Sequence, residues 1–295
     1  MANHLLFFQE RVVGRVKAVA ASSPVPWDHF VLLQMSPIES KLTCFAMSRH
    51  CQNIDSSNKQ RIAQPPRSNG GQSDVTFNFI NQCVDTIWVG STPSIGILDP
   101  EFGPENLVIF DGPDRWSGIM WARTNCTTNS SGYFSCDTGD CGTGEEDCQG
   151  PAPPYPVTLL NFTINNPTVS YQINLNHGWN KQVRIRPDGG TLVGGSGPCP
   201  EVDCSGNIQD VCPSSLVATG KNGLAAGCFS PCDGYKDPKT CCTGDFSGPQ
   251  ACQPSQVSQA FKGLCPQAHT YPADNDPPIY TCKGAAGYNV TFCPL

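Results

Sequence analysis

Hydrophobic and polar residues alternate along much of the chain beyond residue 74, and this two-residue period is typical of half-buried β-strands. The segment 75–81 places Val75, Phe77 and Phe79 on one face, and a second strand, 86–89, follows after a short turn. Further strands are predicted at 107–110, 118–123, 159–164, 170–175, 182–186 and 288–292. Because Gly, Pro and Asp turns separate these segments, we expect a mainly β fold whose strands pack as a sandwich.

The chain from 199 to 265 differs in character, with closely spaced cysteines and many turn residues. One helix is predicted there: Pro254 and Ser255 open it, and Val257, Phe261 and Leu264 share a face at i, i+4 and i+7. No apolar stretch reaches the length of about 18 residues that a membrane-spanning helix requires, so we expect no membrane span.

Charge divides the chain into two unlike parts. Residues 1–72 hold 8 Lys or Arg and 4 Asp or Glu, whereas residues 73–295 hold 10 and 21. The second part is therefore acidic, and it has no basic stripe. Phosphate backbones would repel such a surface, so nucleic acid is excluded as an expected partner.

Cysteine content indicates the redox compartment. The chain has 18 cysteines, and 16 of them lie between Cys83 and Cys293, where only two histidines, His177 and His269, occur beyond residue 72. A zinc site would need Cys and His in pairs at knuckle spacing, which the adjacent Cys241 and Cys242 fit poorly. We therefore expect disulfides made in an oxidising compartment, with no metal and no cofactor.

The first 72 residues match neither a signal peptide nor the domain that follows. The apolar run 5–8 is short, and Glu10 and Arg11 interrupt it, so no secretory signal core is visible although secretion is expected. A mispredicted gene start, a targeting segment and a genuine appendage are three alternatives, and we favour the first. The native protein is then expected to begin near Ser73 or Asp74, without Cys44 and Cys51.

A series of short motifs follows in a distinctive order. The clearest is 132–141, Gly-Tyr-Phe-Ser-Cys-Asp-Thr-Gly-Asp-Cys. The others are Asn81-Gln82-Cys83 with Trp88, the segment 121–126, the pair Cys241-Cys242, the segment 261–266, and the ending 288–294. Together they resemble the thaumatin-like proteins of plant defence over about residues 74–295, with all 16 cysteine positions of that family occupied.

The resemblance implies a fold and a set of disulfides. It implies a sandwich core over about 73–123, 155–205 and 266–295, a small disulfide loop at 124–154, and a cysteine-rich lobe with short helices at 206–265. The implied pairs are Cys83–Cys293, Cys126–Cys136, Cys141–Cys148, Cys199–Cys282, Cys204–Cys265, Cys212–Cys228, Cys232–Cys241 and Cys242–Cys252. The first pair joins the two ends of the domain, and it would contribute on the order of 5 kcal/mol by loop closure.

The family resemblance also implies a surface cleft beside the lobe, which antifungal members line with one arginine and four carboxylates. The corresponding positions here are all different, namely Ile119, Asn161, Gln172, His177 and Asn275. Asp274 and Asp276 flank the last of them. Alternation along the strand places Gln172 toward the cleft and Tyr171 in the core. Tyr171, Trp179 and Tyr271 are aromatic residues that either stack on sugars or pack inside the sandwich.

Glycoside hydrolysis of the usual kind needs two carboxyl groups about 5–9.5 Å apart, and the substituted cleft lacks them. Asn and Gln hydrogen-bond to hydroxyl groups but do not exchange protons at neutral pH. We therefore expect a secreted, monomeric, non-enzymatic defence or stress protein that binds β-1,3-glucan or another cell-wall polysaccharide. A weak endo-β-1,3-glucanase and a non-catalytic scaffold for another protein are the two alternatives.

Four sequons make the chain a candidate glycoprotein. They begin at Asn125, Asn129, Asn161 and Asn289. A glycan on Asn161 would block the cleft, because that residue is also a cleft position.

Overall fold

The computed structural model describes residues 75–97, 101–148, 155–248 and 250–295. The proposed start near Ser73 and the two additional cysteines, Cys44 and Cys51, lie outside these residues. In chain order the described strands are β1 (Thr76–Asn81), β2 (Ile87–Thr92), β3 (Glu101–Phe102), β4 (Leu107–Asp111), β5 (Arg115–Thr124), β6 (Thr127–Thr128), β7 (Phe134–Ser135), β8 (Leu159–Asn165), β9 (Thr168–Asn174), β10 (Val183–Asp188), β11 (Thr191–Leu192), β12 (Val202–Cys204), β13 (Val217–Thr219), β14 (Ala225–Cys228), β15 (Ala268–His269), β16 (Tyr280–Lys283) and β17 (Gly287–Phe292).

Two large sheets face each other. The first has the order β12-β10-β17-β1-β4, and the second has the order β11-β16-β9-β8-β5-β2-β3 with β15 beside β9. In the first sheet β1 and β17 are parallel, so the start and the end of the domain are neighbours. The Cys83–Cys293 disulfide closes that junction. The mainly β sandwich predicted from the alternation is therefore confirmed.

Aromatic side chains fill the space between the sheets. Phe77 from β1 meets Phe162 from β8 edge to face, with ring centroids 5.2 Å apart. Tyr171 from β9 and Tyr288 from β17 meet in the same way at 5.4 Å. All four are fully buried. Their inward positions follow from the alternating pattern, which places every second residue of β1, β8 and β9 in the core.

The predicted strands are all present, but one expected turn has a different role. β1 and β2 are separated only by residues 82–86, yet they belong to different sheets. The side chain of Asn81 explains the sharp crossing. Its amide donates to the backbone oxygens of Asp85 and Phe102, and its carbonyl oxygen accepts from the amide of Cys83. Asn81 thus holds the chain as it passes from one sheet to the other.

The cysteine-rich lobe contains the predicted helix and two shorter ones. The helices are α1 (Pro231–Tyr235), α2 (Pro238–Cys241) and α3 (Gln256–Leu264). Ser255 caps α3 by accepting from the amide of Ser258, and Phe261 is buried as the helical spacing predicts. α1 and α2 each span about one turn, so they carry no periodic pattern by which a sequence reveals a helix.

All eight disulfides implied by the family resemblance are formed. Cys199–Cys282 joins parts of the sandwich, and Cys204–Cys265 ties it to the end of α3. A backbone bridge between Trp179 and Cys228 adds a further link between sandwich and lobe. The lobe is therefore held to the sandwich by covalent bonds and by main-chain hydrogen bonds.

Candidate functional site

Three of the candidate cleft residues form one row across the second sheet. Asn161 on β8 lies directly opposite Ile119 on β5 and directly opposite Gln172 on β9. Their side chains point away from the aromatic core, because their neighbours Met120, Leu160 and Tyr171 are the buried ones. Side chains directly opposite in antiparallel strands are about 5 Å apart. The row therefore presents one apolar and two amide side chains side by side.

The two amide side chains of this row have unpaired oxygens. Within the described residues, the side-chain oxygens of Asn161 and Gln172 are buried and accept no hydrogen bond. A buried, unsatisfied polar group costs about 1–3 kcal/mol of stability. A ligand offsets this cost if the two side chains turn to meet its donors. Hydroxyl groups are suitable donors, and they also accept from amide nitrogens.

His177 lies three residues beyond the end of β9 and is fixed by two contacts. Its ring stacks on Tyr155, with centroids 3.9 Å apart and planes at 8°. Its Nδ1 atom lies 2.8 Å from Oδ2 of Asp233, on helix α1 of the lobe. The His177 side chain is 40% exposed, whereas that of Asp233 is 11% exposed. His177 therefore lies where the sandwich meets the lobe.

Asp233 is a carboxylate that the sequence analysis did not include. Ser230 accepts from the backbone amide of Asp233 as the N-cap of α1, and the Ser230 hydroxyl donates to Oδ2 of Asp233. Lys236 lies 3.2 Å from the other oxygen, Oδ1. The spacing Ser-x-x-Asp is a capping-box pattern, and this signal would have located the start of α1. No sequence signal pairs Asp233 with His177, which is 56 residues away.

Asp274 belongs to a tightly bonded loop. Its side chain is 4% exposed and lies 2.7 Å from the ammonium group of Lys262. It also accepts from the backbone amide and the hydroxyl of Thr270, and from the amide of Asp276. Asn275 and Asp276 are exposed. The charge of Asp274 is therefore balanced by Lys262, and Asp276 alone of the three presents an exposed carboxylate.

The loop that carries these residues begins next to β9. Strand β15 runs parallel to β9 and pairs Ala268 with Ile173 and His269 with Asn174. Asp274, Asn275 and Asp276 thus follow a strand that adjoins the Gln172 end of the amide row. The structure places them on the side of the row opposite to Ile119, in agreement with the sheet order β9-β8-β5.

Arg123, from the Trp-Ala-Arg-Thr motif, does not enter the cleft. It is fully buried beneath the small disulfide loop, where it donates to the backbone oxygen of Glu146 and lies 5.2 Å from the ring centroid of Phe134. Burial lowers the pKa of its guanidinium to about 10, and the nearby Asp140 and Glu146 oppose that change. Its charge contacts the loop, so Arg123 does not take the place of the arginine that the family resemblance implies at position 119.

The aromatic candidates are mostly internal. Tyr171 is fully buried, as the alternation predicted, and its hydroxyl donates to the backbone oxygen of Pro200. Trp179 is 6% exposed, and Tyr271 is half-buried. Tyr155, which the sequence analysis did not select, is the aromatic residue that contacts His177.

The four sequon asparagines occupy different settings. Asn129 is exposed in the turn between β6 and β7, and Asn125 is exposed at the end of β5 with its amide bonded to Asp137. Asn161 and Asn289 are half-buried in central strands. Asn129 is therefore the most accessible of the four for glycan addition.

The described residues contain no group of three or more His, Cys, Asp or Glu side chains that could hold a metal ion. Among the same residues, no helix has the length and apolar character needed to cross a bilayer.

Comparison with known proteins gives consistent matches. The sequence profile of the Thaumatin family matches residues 81–294. Thaumatin-like protein 1 of Pyrus pyrifolia is 36% identical over 233 residues, which cover 76% of this chain and 93% of that protein. A protein of Prunus avium named glucan endo-1,3-beta-glucosidase is 34% identical over 232 residues, with the same coverage of 76% and 93%.

A solved structure of a thaumatin-like xylanase inhibitor also aligns with the chain. It is 18% identical, with a TM-score of 0.41, and the alignment covers 74% of this chain and 99% of the inhibitor.

Proposed function

Since the chain belongs to the thaumatin family, we propose that it is a secreted, monomeric plant defence protein that binds a cell-wall polysaccharide without cleaving it. The expected ligand class is β-1,3-glucan. The observation that supports this proposal is the row formed by Ile119, Asn161 and Gln172, in which two amide oxygens have no partner within the described residues. A neutral row of this kind suits a neutral polysaccharide, because each sugar hydroxyl both donates and accepts.

The absence of catalysis is proposed from the carboxylates around the row. A glycosidase needs one carboxyl group that gives a proton and a second one on the other side of the bond. Asp274 is bonded to Lys262 and Thr270, and Asp233 is bonded to His177 and Ser230. Each of these carboxylates is committed to a structural contact, so neither is available for proton exchange with a substrate.

A weak endo-glucanase is the second candidate, because one relative is named glucan endo-1,3-beta-glucosidase. Release of reducing ends from laminarin separates it from a binding protein. A protein-binding scaffold is the third candidate, and it predicts binding to no polysaccharide at all.

The deciding experiment compares two pairs of amides in the full-length, disulfide-bonded chain. The variant N161A/Q172A removes the amides of the row, and N78A/N289A removes a matched cross-strand pair on the other sheet. In the control pair, the amide of Asn78 donates to the oxygen of Asn289 at 2.8 Å. Both pairs are half-buried.

We expect N161A/Q172A to weaken laminarin binding by about tenfold or more, since two hydrogen bonds to the ligand are lost. Its stability should hold or rise, because unsatisfied groups are removed. N78A/N289A should bind laminarin normally and lose about 1 kcal/mol of stability with its internal hydrogen bond. Equal binding by all three proteins would exclude the row as the site.

A further inference from the structure

A second groove lies away from the amide row. It has a volume of about 670 Å³, within the range of about 300–1,000 Å³ for small-molecule sites. Its walls come from the ends of β2 and β5, the segment 179–182, the start of the lobe at 207–209, and the β13–β14 hairpin. None of the candidate cleft residues lines it.

Six of the residues that line this groove carry amide side chains. We call it the amide groove, and it is defined by Asn125, Asn180, Gln182, Asn207, Gln209 and Asn222. Within the described residues, the side chain of Gln209 makes no hydrogen bond, and the Asn222 amide nitrogen makes none, while the Asn222 oxygen accepts from Leu224. The groove therefore offers donors and acceptors that the fold does not use.

The three charged side chains that line the amide groove already have partners. Lys181 lies 3.5 Å from Asp85, so these two form an ion pair at the rim. The carboxylate of Asp137 accepts from two neutral donors, the backbone amide of Lys221 and the amide of Asn125. A neutral ligand leaves these contacts in place, so the groove suits it better than an ionic one.

Two tryptophans of the groove provide a spectroscopic reporter. Trp88 and Trp179 line the groove and are 8% and 6% exposed. Neither indole N–H has a hydrogen-bond partner within the described residues. By contrast, the indoles of Trp116 and Trp121 donate to the backbone oxygens of Pro93 and Gly139. The tryptophans without acceptors are therefore the two that belong to the groove.

The walls of the groove are fixed before any ligand arrives. Cys126–Cys136 and Cys212–Cys228 cross-link two of them. Lys221, at the tip of the β13–β14 hairpin, reaches the small disulfide loop, where its ammonium group lies 2.9 Å from the hydroxyl of Ser135. A rigid groove loses little conformational entropy on binding, so modest contacts suffice.

We propose that the amide groove is a second saccharide site, which takes a short neutral oligosaccharide. The side chains of Gln209 and Asn222 bind its hydroxyl groups, and the exposed Leu224 contacts the apolar face of a sugar ring. Trp88 and Trp179 line the groove, so their indole signals report a ligand that fills it. This site shares no residue with the row formed by Ile119, Asn161 and Gln172. Saccharides can therefore bind to the groove and to the row independently.

The test uses the full-length oxidised chain with ¹⁵N-labelled tryptophan, produced without glycans so that Asn125 stays unmodified. Laminarihexaose, cellohexaose and xylohexaose are titrated separately, and each indole N–H reports its own signal. With at least one probe we expect the Trp88 and Trp179 signals to shift, while those of Trp116 and Trp121 stay in place. The unmoved pair also reports that the protein is folded.

Variants then separate the two sites. Q209A/N222A should weaken the binding that shifts Trp88 and Trp179 by about tenfold or more, through the lost hydrogen bonds. N161A/Q172A should leave those shifts unchanged, even if it abolishes laminarin binding, and N78A/N289A is the control for both. Absence of shifts at Trp88 and Trp179 with all three probes, or unchanged affinity in Q209A/N222A, would overturn the proposal. Loss of the shifts in N161A/Q172A would assign them to the cleft instead.

Discussion

The Nδ1 atom of His177 lies 2.8 Å from the Oδ2 atom of Asp233, and this contact joins the sandwich to the first helix of the lobe. The two partners differ in their other contacts. Among the described residues, His177 also stacks on Tyr155, whereas Asp233 also interacts with Ser230 and Lys236. We therefore interpret the pair as a structural link in which Asp233 contributes more to stability than His177 does.

Replacement of the two partners should have unequal effects. H177Q should change the free energy of unfolding by less than about 1 kcal/mol, because a polar contact with one partner this exposed contributes little. D233A should cost about 1–2 kcal/mol, since the start of α1 loses its capping-box carboxylate as well. Urea unfolding of both variants at pH 7 measures this, and equal losses would mean that the pair itself carries the stability.

Laminarin hydrolysis should be absent at every pH, since Ile119, Asn161 and Gln172 supply no carboxyl group to the row. The joint replacement Asn161→Glu, Gln172→Asp, His177→Asp and Asn275→Asp should introduce slow hydrolysis. Release of reducing ends is the measurement. If the unmodified chain already cleaves laminarin and D274N abolishes the cleavage, the carboxylates have been assigned wrongly and the enzyme hypothesis replaces ours.

Binding of laminarin should depend little on salt. Hydrogen bonds from Asn161 and Gln172 carry it in our proposal, and neither side chain is charged. Between low salt and about 0.5 M NaCl we expect the Kd to change by less than about twofold, although exposed charges are strongly screened over that range. Calorimetric titrations at the two salt concentrations test this, and a steep decline would indicate that a charged group such as Asp276 contributes.

Gly178 should be the residue next to the cleft that least tolerates replacement. It has φ +105°, and an added Cβ would lie 2.3 Å from the backbone oxygen of Cys228 and 2.7 Å from Pro156. Gly194 is the matched control, because it also has positive φ but nothing within 4 Å of the added Cβ. G194A should cost about 1–2 kcal/mol from backbone strain alone. G178A should cost clearly more, and thermal unfolding of the pair gives the difference.

Stability should fall as the pH rises above 10. Burial raises the pKa values of Tyr171 and Tyr288, so above their unfolded value the unfolded state releases protons that the folded state retains. Each tyrosine then lowers the free energy of unfolding by about 1.4 kcal/mol per pH unit. Arg123 acts in the opposite direction, because its pKa is lowered to about 10 and the cost of burying its charge is relieved above that pH. The two tyrosines outweigh it.

The Y288F variant isolates the tyrosine effect. The buried hydroxyl of Tyr288 has no hydrogen-bond partner within the described residues, so its removal should cost little at pH 7. The free energy of unfolding of this variant should fall less steeply at high pH than that of the unmodified chain, by about 1.4 kcal/mol per pH unit. Urea unfolding at pH 8, 10 and 11 checks both expectations. Identical pH profiles would show that Tyr288 ionises readily in the folded state.

Strand positions could be predicted well because they depend on local alternation. In β9 the sequence places Tyr171 inside and Gln172 outside, and no distant residue is needed to decide this. The helix Gln256–Leu264 followed in the same way from the spacing of Phe261 and Leu264 and from the capping position of Ser255. The disulfide partners came from the family resemblance, since spacing alone does not select among so many pairings.

By itself, then, the sequence determined the class of fold and the position of the strands, and its resemblance to the family implied that one arginine position and four carboxylate positions of the cleft hold other residues. Only the tertiary structure decided that Asn161 and Gln172 stand opposite each other, that Asp233 meets His177, and that Trp88 and Trp179 share a groove. The reason is physical. Alternation records the face on which a side chain lies, whereas pairing across strands and lobes depends on how distant segments pack, and that packing leaves no local pattern in the chain.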